Sequence, residues 1–367
     1  MTDPTETFGV GISGAGTIGA VHAEALEELE DARLVAVAAA HEATGRKLAE
    51  THGAEWHAGF EELLARPDVD VVILCTPSGL HPDQAVAAAR AGKHVITEKP
   101  MAVTLAGADR MIRACVEARV TLSVVFQYRF NRDALRLKRA VEAGLLGDPV
   151  LGNAFVHWHR TQAYYEEKGG WRGTWALDGG GALMNQSVHA IDLLQWILGP
   201  VESVCGYADT LAHDIEAEDT ASAALRFASR ALGAIQGTTS AHEDSPLRIE
   251  IRGTEGSATL DGPRLTAWQP GHELEVLRPR DLEFLPEYQG DEPLGIAHQR
   301  QLKEIFAALR EGREPPIPGE EARKAVEIVL GIYQSAVSGE RVSLPLKPSS
   351  STHRRDASGS RGSWSGP

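Results

Sequence analysis

Lys99 stands between an acid and a proline in the run Gly92-Lys93-His94-Val95-Ile96-Thr97-Glu98-Lys99-Pro100. The β-branched residues before it predict a short strand. Pro100 has no N–H to extend a central ladder, so the chain must leave its sheet there. In a doubly wound sheet, ligands bind just outside the carboxyl ends of the strands. A lysine at that point can reach such a ligand and exchange a proton with it. A free lysine titrates near about 10.4, and burial or a neighbouring cation brings that value down. The plain alternative is a surface lysine beside a strand-ending proline, and the neighbouring motifs decide between the two.

A second polar group lies in Gly179-Gly180-Gly181-Ala182-Leu183-Met184-Asn185-Gln186-Ser187-Val188-His189-Ala190-Ile191-Asp192 and continues through Trp196. On a helix, Asn185, His189, Asp192 and Trp196 follow i, i+4, i+7 and i+11 and form one stripe. Val188, Ile191, Leu194 and Ile197 make the buried side. A histidine flanked by Asn and Asp suits proton handling, because a neighbour can fix its tautomer. A solvated helix face is the competing account.

What lends weight to both groups is the start of the chain. Phe8–Ser13 reads as an apolar strand, Gly14-Ala15-Gly16-Thr17-Ile18-Gly19 follows at once, and Ala20–Leu29 reads as a helix. G-x-G-x-x-G between strand and helix is a dinucleotide-binding arrangement. Gly14 permits the tight turn, Gly16 lets a pyrophosphate approach the backbone, and Gly19 lets helix pack on strand. The helix N-terminus supplies free N–H groups for the phosphates. The acid that binds an NAD ribose belongs about 20 residues further on. Here that point falls on Ala39, in Ala38-Ala39-Ala40-His41, with no carboxylate before Glu42. A 2′-phosphate would meet no repulsion there, and His41, Arg46 and Lys47 are placed to reach it. The sequence therefore favours NADP over NAD, with Glu42 in a shifted register as the alternative.

Strands and helices then alternate: strands at Leu34–Ala40, Val69–Cys75, Val95–Thr97 and Thr121–Val125, and helices at Ala43–His52, Phe60–Ala65, Pro82–Ala91 and Thr104–Ala118. That alternation means βαβ units and a parallel sheet. After Phe126 the pattern changes. A helix is expected around Ala134–Glu142 and a strand over Val150–Arg160. Further strands, spaced as in an antiparallel sheet, are expected at Val201–Leu211, Ala221–Phe227, Ala231–Thr239, Leu247–Arg252, Ser257–Leu260 and Leu265–Trp268. Helices Ile296–Arg310 and Glu320–Val337 close the fold. The fold class is α/β: a Rossmann domain over residues 8–126, then an α/β domain with an open, mainly antiparallel sheet over 127–346. The last helix is free to pack back on the first domain. One face of the open sheet is available to a second copy, so a homodimer or homotetramer is expected.

With a formal charge of −15, the chain is not expected to bind nucleic acid or an anionic membrane. No apolar run approaches the roughly 20 residues of a membrane helix. Cys75, Cys115 and Cys205 lie far apart in apolar runs and read as buried free thiols in a reducing, cytoplasmic setting. The acidic start Met1–Glu6 does not read as a signal peptide. Residues 347–367 are Ser, Gly and Arg with little to bury, and read as a disordered tail. No metal is expected: Trp158 separates His157 from His159, and no cysteine or acid cluster stands near. Tyr164-Tyr165-Glu166-Glu167-Lys168 matches Tyr-x-x-x-Lys but runs into Gly169-Gly170, not along a helix, so it is set aside as a catalytic pair.

Taken together, the glycine loop, Thr76-Pro77, His81, Ala91-Gly92-Lys93-His94-Val95, Glu98-Lys99-Pro100, and Gly180-Gly181 through His189-Ala190-Ile191-Asp192 resemble the glucose–fructose oxidoreductase / inositol dehydrogenase / rhizopine-catabolism (Gfo/Idh/MocA) family. Ile332–Ala336 and Val342–Pro345 also look like it, so the likeness spans roughly residues 8–346. The resemblance implies hydride transfer between a nicotinamide and a carbohydrate or polyol carbinol. Lys99 matches the family lysine and His189 the family histidine. Asn185 stands where the family usually has an aspartate. Lys99 is then the proton-transfer residue and His189 positions the hydroxyl. Thr17, Ile18, Thr76, Pro77, His81, Glu98 and Lys99 join Gly14, Gly16, Gly19, Ala39 and His41 as cofactor-binding residues. Gln127, Arg129, His159, Trp171, Arg172 and Asp192 are the substrate candidates. A nucleotide-sugar 3-dehydrogenase is the second enzyme reading, and it needs a basic, aromatic site that the sequence alone does not place. A catalytically silent NADP-binding regulator, suggested by Asn185, is the third.

Overall fold

The computed structural model describes residues 7–269, 295–347 and 366. The expectations for Met1–Glu6 and for the tail beyond Lys347 lie outside them, Gly366 aside. Two compact units are present. Among the described residues one comprises 7–135 with 295–323, the other 136–269 with 324–347.

The first unit opens with β1 (Phe8–Ser13), α1 (Thr17–Glu27), β2 (Ala32–Ala38), α2 (Glu42–Thr51), β3 (Glu55–His57) and α3 (Phe60–Leu64). It continues with β4 (Val71–Leu74), α4 (His81–Arg90), β5 (His94–Thr97), α5 (Leu105–Ala118) and β6 (Leu122–Val124). The six strands are parallel, in the order β3-β2-β1-β4-β5-β6. This is the doubly wound order whose direction reverses beside β1. The residues of β1 and β4 are wholly buried, as a parallel sheet covered on both faces demands. Register matters most for function. Ser13 pairs with Ala38 and Leu74, and Leu74 with Thr97. Gly14, Ala39, Thr76, Glu98 and Lys99 thus all leave the sheet at its carboxyl edge. Sequence reading missed β3, which is too short to show an alternating pattern. Thr104 caps α5, its hydroxyl accepting from Gly107 N at 3.1 Å.

The second unit holds most of the remaining elements: α6 (Arg132–Glu142), β7 (Pro149–His157), α7 (Gln162–Glu166), α8 (Val188–Leu198), β8 (Val201–Asp209), β9 (Thr220–Phe227) and β10 (Leu232–Thr238). Then come β11 (Arg248–Gly253), β12 (Ser257–Asp261), β13 (Arg264–Gln269), α9 (Ile296–Glu311), α10 (Gly319–Ser338) and β14 (Val342–Ser343). The chain crosses between units within α6 and within α10, and α9 belongs to the first unit. The eight strands run β13-β12-β11-β7-β10-β9-β8-β14, antiparallel except for the β7–β10 pair. Strand β9 shows why one face is covered: Ala221, Ala223, Leu225 and Phe227 are buried, and the residues between them are not. Helix α8 lies close on β7, where a Cβ on Gly152 would fall 2.0 Å from Leu198 Cδ1.

Two expectations are corrected here. Cys205 is exposed, because it takes an outward register position on β8; only Cys75 and Cys115 are buried. The stripe from Asn185 to Trp196 is not one α-helix. Residues Ala182–Ser187 wind as a π-helix before α8 begins. Its polar face is not solvated either: His189, Asp192 and Gln195 are buried.

Candidate active site

The glycine loop has the geometry its spacing predicts. Gly14 has φ +106°, a conformation that side chains resist, and a Cβ there would meet Cys75 O at 2.6 Å. A Cβ on Gly19 would fall 2.1 Å from Gly14 O, so only glycine lets α1 approach β1 this closely. Around Gly16 a Cβ would meet nothing within 4 Å, and no side chain caps the start of α1. Open space before uncapped N–H groups fits a dinucleotide pyrophosphate. Thr17 and Ile18 form the first turn of that helix.

The other expected cofactor residues divide into two sets. Ala39 and His41 lie between β2 and α2, and His41 is exposed. Arg46 is also exposed, bonded to Glu42 at 2.7 Å and lying 4.4 Å over the Trp56 ring. Thr76 and Pro77 follow β4. Thr76 Oγ1 donates to Gln84 Oε1 at 2.6 Å, and Gln84 reaches Ser13 Oγ at 3.1 Å. The side chains of His81 and Glu98 are both turned inward at the sheet edge. His81 is buried, with Nδ1 3.0 Å from Pro100 O and Nε2 2.9 Å from Thr76 O. Burial lowers its pKa, and a neutral ring donates to only one carbonyl at a time. The ring therefore lies against carbonyls of both loops at the sheet edge and bonds one of them at a time.

Glu98 is likewise turned inward. Its Oε1 lies 2.9 Å from His22 Nε2 and 3.8 Å from His298 Nε2, and its Oε2 accepts from Lys99 N at 3.1 Å. Burial alone would raise this carboxyl, but the His22 bond and the nearby positive groups win, holding it down at about 2. Burial, with His22 next, pushes His298 down to about 4. Among the described residues these three form the one group with metal-ligand convergence. Sequence reading missed it, since Gly19-to-His22 spacing and a histidine near residue 298 carry no local signal. The ionised carboxylate fixes the backbone N–H of Lys99 where β5 ends.

In the second unit, His189 is 6% exposed in the first turn of α8, and Asp192 lies buried one turn on. Asn185 Nδ2 donates to Asp178 Oδ1 at 2.5 Å. Asp178 is buried and also accepts from Gly173 N at 2.8 Å. The carboxylate that Asn185 lacks is therefore present one hydrogen bond away. Glu218 holds the π-helix by its start: it accepts from Leu183 N at 2.7 Å, Gly181 N at 3.1 Å and Tyr333 Oη at 2.9 Å. Ser187 Oγ donates to Ala182 O at 2.7 Å within the same wide turn. Such π-turns recur at functional sites.

Beside Asn185 lies a basic, aromatic group. Arg172 Cζ sits 4.1 Å over the Tyr164 ring and 5.5 Å from that of Trp171. Arg160 Cζ lies 5.5 Å from the Tyr164 ring and 5.0 Å from that of Trp158. Gln186 Nε2 donates to Tyr164 Oη at 2.8 Å and to Asn185 Oδ1 at 3.1 Å. Trp171 and Arg172, both predicted, thus join Asn185; Arg160, Tyr164, Gln186 and Asp178 were missed. Of the other substrate candidates, Gln127 is buried. Arg129 is buried too, its guanidinium bonded to Glu321 at 3.1 Å. His159 is exposed, its Nδ1 2.9 Å from Ala241 O.

Residues 8–126 match the family model described as an oxidoreductase family with an NAD-binding Rossmann fold, and residues 134–259 match the GFO/IDH/MocA C-terminal domain. The chain is 31% identical over 344 residues to a myo-inositol 2-dehydrogenase of Thermotoga maritima, covering 92% of this chain and 98% of that one. Among solved structures it is similar to the WlbA dehydrogenase of Bordetella pertussis in complex with NADH and UDP-GlcNAcA. That match has 35% identity and a TM-score of 0.85, and covers 93% of this chain and 99% of that one. Levoglucosan dehydrogenase shares the fold at 23% identity and a TM-score of 0.83. The chain belongs to the Gfo/Idh/MocA family of NAD-binding oxidoreductases.

Proposed function

We propose that this oxidoreductase moves a hydride between a nicotinamide and a hydroxyl-bearing carbon of a sugar or polyol. The observation that carries the reading is the shared register of β1, β4 and β5, which brings the glycine loop, Thr76 and Lys99 to one sheet edge. Bound nicotinamide would supply the hydride acceptor. Lys99 takes the hydroxyl proton as the hydride leaves the carbinol carbon, and returns it to the alkoxide in reduction. His189, buried at the start of α8 in the second unit, keeps the role of a hydroxyl-orienting group that the family resemblance gives it. Asn185, with Asp178 behind it, fixes the polar wall of the substrate side.

We assign NADP as the favoured cofactor, with NAD accepted. No carboxylate directly follows β2, and the exposed Arg46–Glu42 pair costs at most about 1 kcal/mol to open. Arg46→Ala is expected to lower kcat/KM for NADP about tenfold relative to NAD, as loss of one charged hydrogen bond would. An unchanged ratio would remove Arg46 from this role. Cytoplasmic action and assembly of copies through the open sheet face belong to the same proposal. Two buried free thiols support the first, and exposed Tyr207, Leu151 and Leu232 the second. No described helix is long and apolar enough to cross a membrane.

The test is turnover. Protein with NAD or NADP is offered polyols, aldoses, glycosides and nucleotide sugars, and nicotinamide reduction is followed. Reduction with a hydroxyl-bearing carbohydrate is expected. Cofactor binding without any turnover would favour a regulator, and no binding would overturn the assignment of Gly14–Gly19. The second reading, a nucleotide-sugar dehydrogenase, is favoured by the Arg160–Arg172 group and by likeness to a protein solved with UDP-GlcNAcA.

A further inference from the structure

We propose that Arg160 and Arg172, stacked about the Tyr164 ring beside Asn185, form a subsite for an anionic oxyacid group carried by the sugar substrate. The inference rests on the dehydrogenase reading above and names the substrate class. Two guanidinium groups share one ring, at 4.1 and 5.5 Å from its centroid. The two groups gather positive charge about one ring, whose quadrupole offsets it only in part. An anion that reached them would offset the rest. Neutralisation from the protein is incomplete. Arg160 has an exposed partner, Asp244, at 3.6 Å, whereas Arg172 makes no ion pair among the described residues. In a chain of net charge −15, an arginine with no acidic partner among the described residues is a specific feature.

The group is built to stay in place. Arg172 Nη1 donates to Tyr164 O at 2.9 Å, which leaves the rest of its fork available. Thr161 caps α7 by accepting from Tyr164 N at 3.3 Å. His213 Nε2 lies 2.7 Å from Arg160 O, and its Nδ1 lies 3.0 Å from the buried Asp219. Gln186 then links Tyr164 to Asn185, so an anion held here sits one residue's reach from the polar wall. A neutral polyol has nothing to match two guanidinium forks. A carboxylate or a phosphate matches them with paired hydrogen bonds.

The experiment compares matched probes by tryptophan-fluorescence titration and by turnover. The probes are glucose against glucuronate, and UDP-glucose against UDP-glucuronate, with the full chain and saturating NAD or NADP. Binding tighter by about 10- to 100-fold is expected for the member bearing the recognised anion, the worth of one to two charged hydrogen bonds. Preference for glucuronate over glucose identifies a carboxylate. Preference for UDP-glucose over glucose that salt weakens and Arg172→Met removes identifies the diphosphate. Arg172→Met, which keeps a stacking stem, is expected to remove that preference through KM while kcat for the anionic probe changes little. Raising the salt concentration should weaken the wild-type preference even if the variant folds poorly. Equal binding of neutral and anionic members by wild type would overturn the subsite. Equal turnover of both would overturn it while leaving the dehydrogenase reading intact. Anion-selective binding without turnover would keep the subsite and overturn the dehydrogenase reading.

Discussion

Lys99→Ala is expected to lower kcat by about 10²- to 10⁴-fold, the range for loss of a positioned acid–base group. The glycine loop between β1 and α1 is left unchanged by the substitution, so cofactor binding, measured separately, is expected to fall far less than kcat. kcat and kcat/KM should fall together, the pattern of an interaction made only in the transition state. Lys99→Arg separates proton transfer from charge. A guanidinium keeps the positive charge but does not give up its proton near neutral pH. If Lys99 acts as the base, arginine is expected to be nearly as inactive as alanine. Substantial recovery with arginine would reassign Lys99 to electrostatic stabilisation. The backbone N–H of Lys99 is held by Glu98, which is itself buried and ionised. Side-chain replacement at Lys99 therefore leaves that anchor in place, and a stability change should not obscure the kinetics.

The legible parts of this protein were those set by local spacing. Gly14, Gly16 and Gly19 announce a turn, an approach and a packing contact within six residues; the structure has the turn and the packing contact, and open space at Gly16. Strand and helix alternation announced the parallel sheet, and a proline after Lys99 announced where β5 ends. Residues whose work depends on distant partners were not legible. Nothing local to Glu98 announces that His22 on α1 and His298 on α9 turn its carboxylate inward. Nothing local to Arg129 announces its bond to Glu321 near the start of α10. The helix through Asn185 was read as regular, because nothing within those residues marks a π-turn. The cause lies more than thirty positions later, in Glu218. Tyr164 was weighed with Lys168 as a catalytic pair, when its neighbours in space are Arg160 and Arg172.

Glu218→Ala is expected to cost about 3–6 kcal/mol of stability, because it leaves two backbone N–H groups and the Tyr333 hydroxyl without their buried acceptor. Urea denaturation at fixed pH measures this. A loss below about 1 kcal/mol would mean that the π-turn does not depend on Glu218. The isosteric Glu218→Gln reports on charge instead. Burial raises the Glu218 carboxyl from 4.5 to about 7, although the Leu183, Tyr333 and Gly181 bonds oppose the rise. Below pH 4.5 the group is protonated in both folded and unfolded chains and costs nothing. Between 4.5 and 7 the unfolded chain ionises first, so stability is lost as pH rises through this window. The shift corresponds to about 3 kcal/mol in total, and the loss levels off above the folded value. Glu98 acts in the opposite sense at lower pH, because its folded value of about 2 gives stability that is lost as pH falls from 4.5. The glutamine variant should therefore keep the acid limb and lose the decline between 4.5 and 7. A decline of the same slope in the variant would assign that limb to other groups. The same window bears on the π-turn. Ionising Glu218 strengthens its hold on the N–H groups of Gly181 and Leu183, and these begin the turn that carries Asn185 towards His189. The form that binds the turn most firmly is thus the one that burial makes most costly to produce.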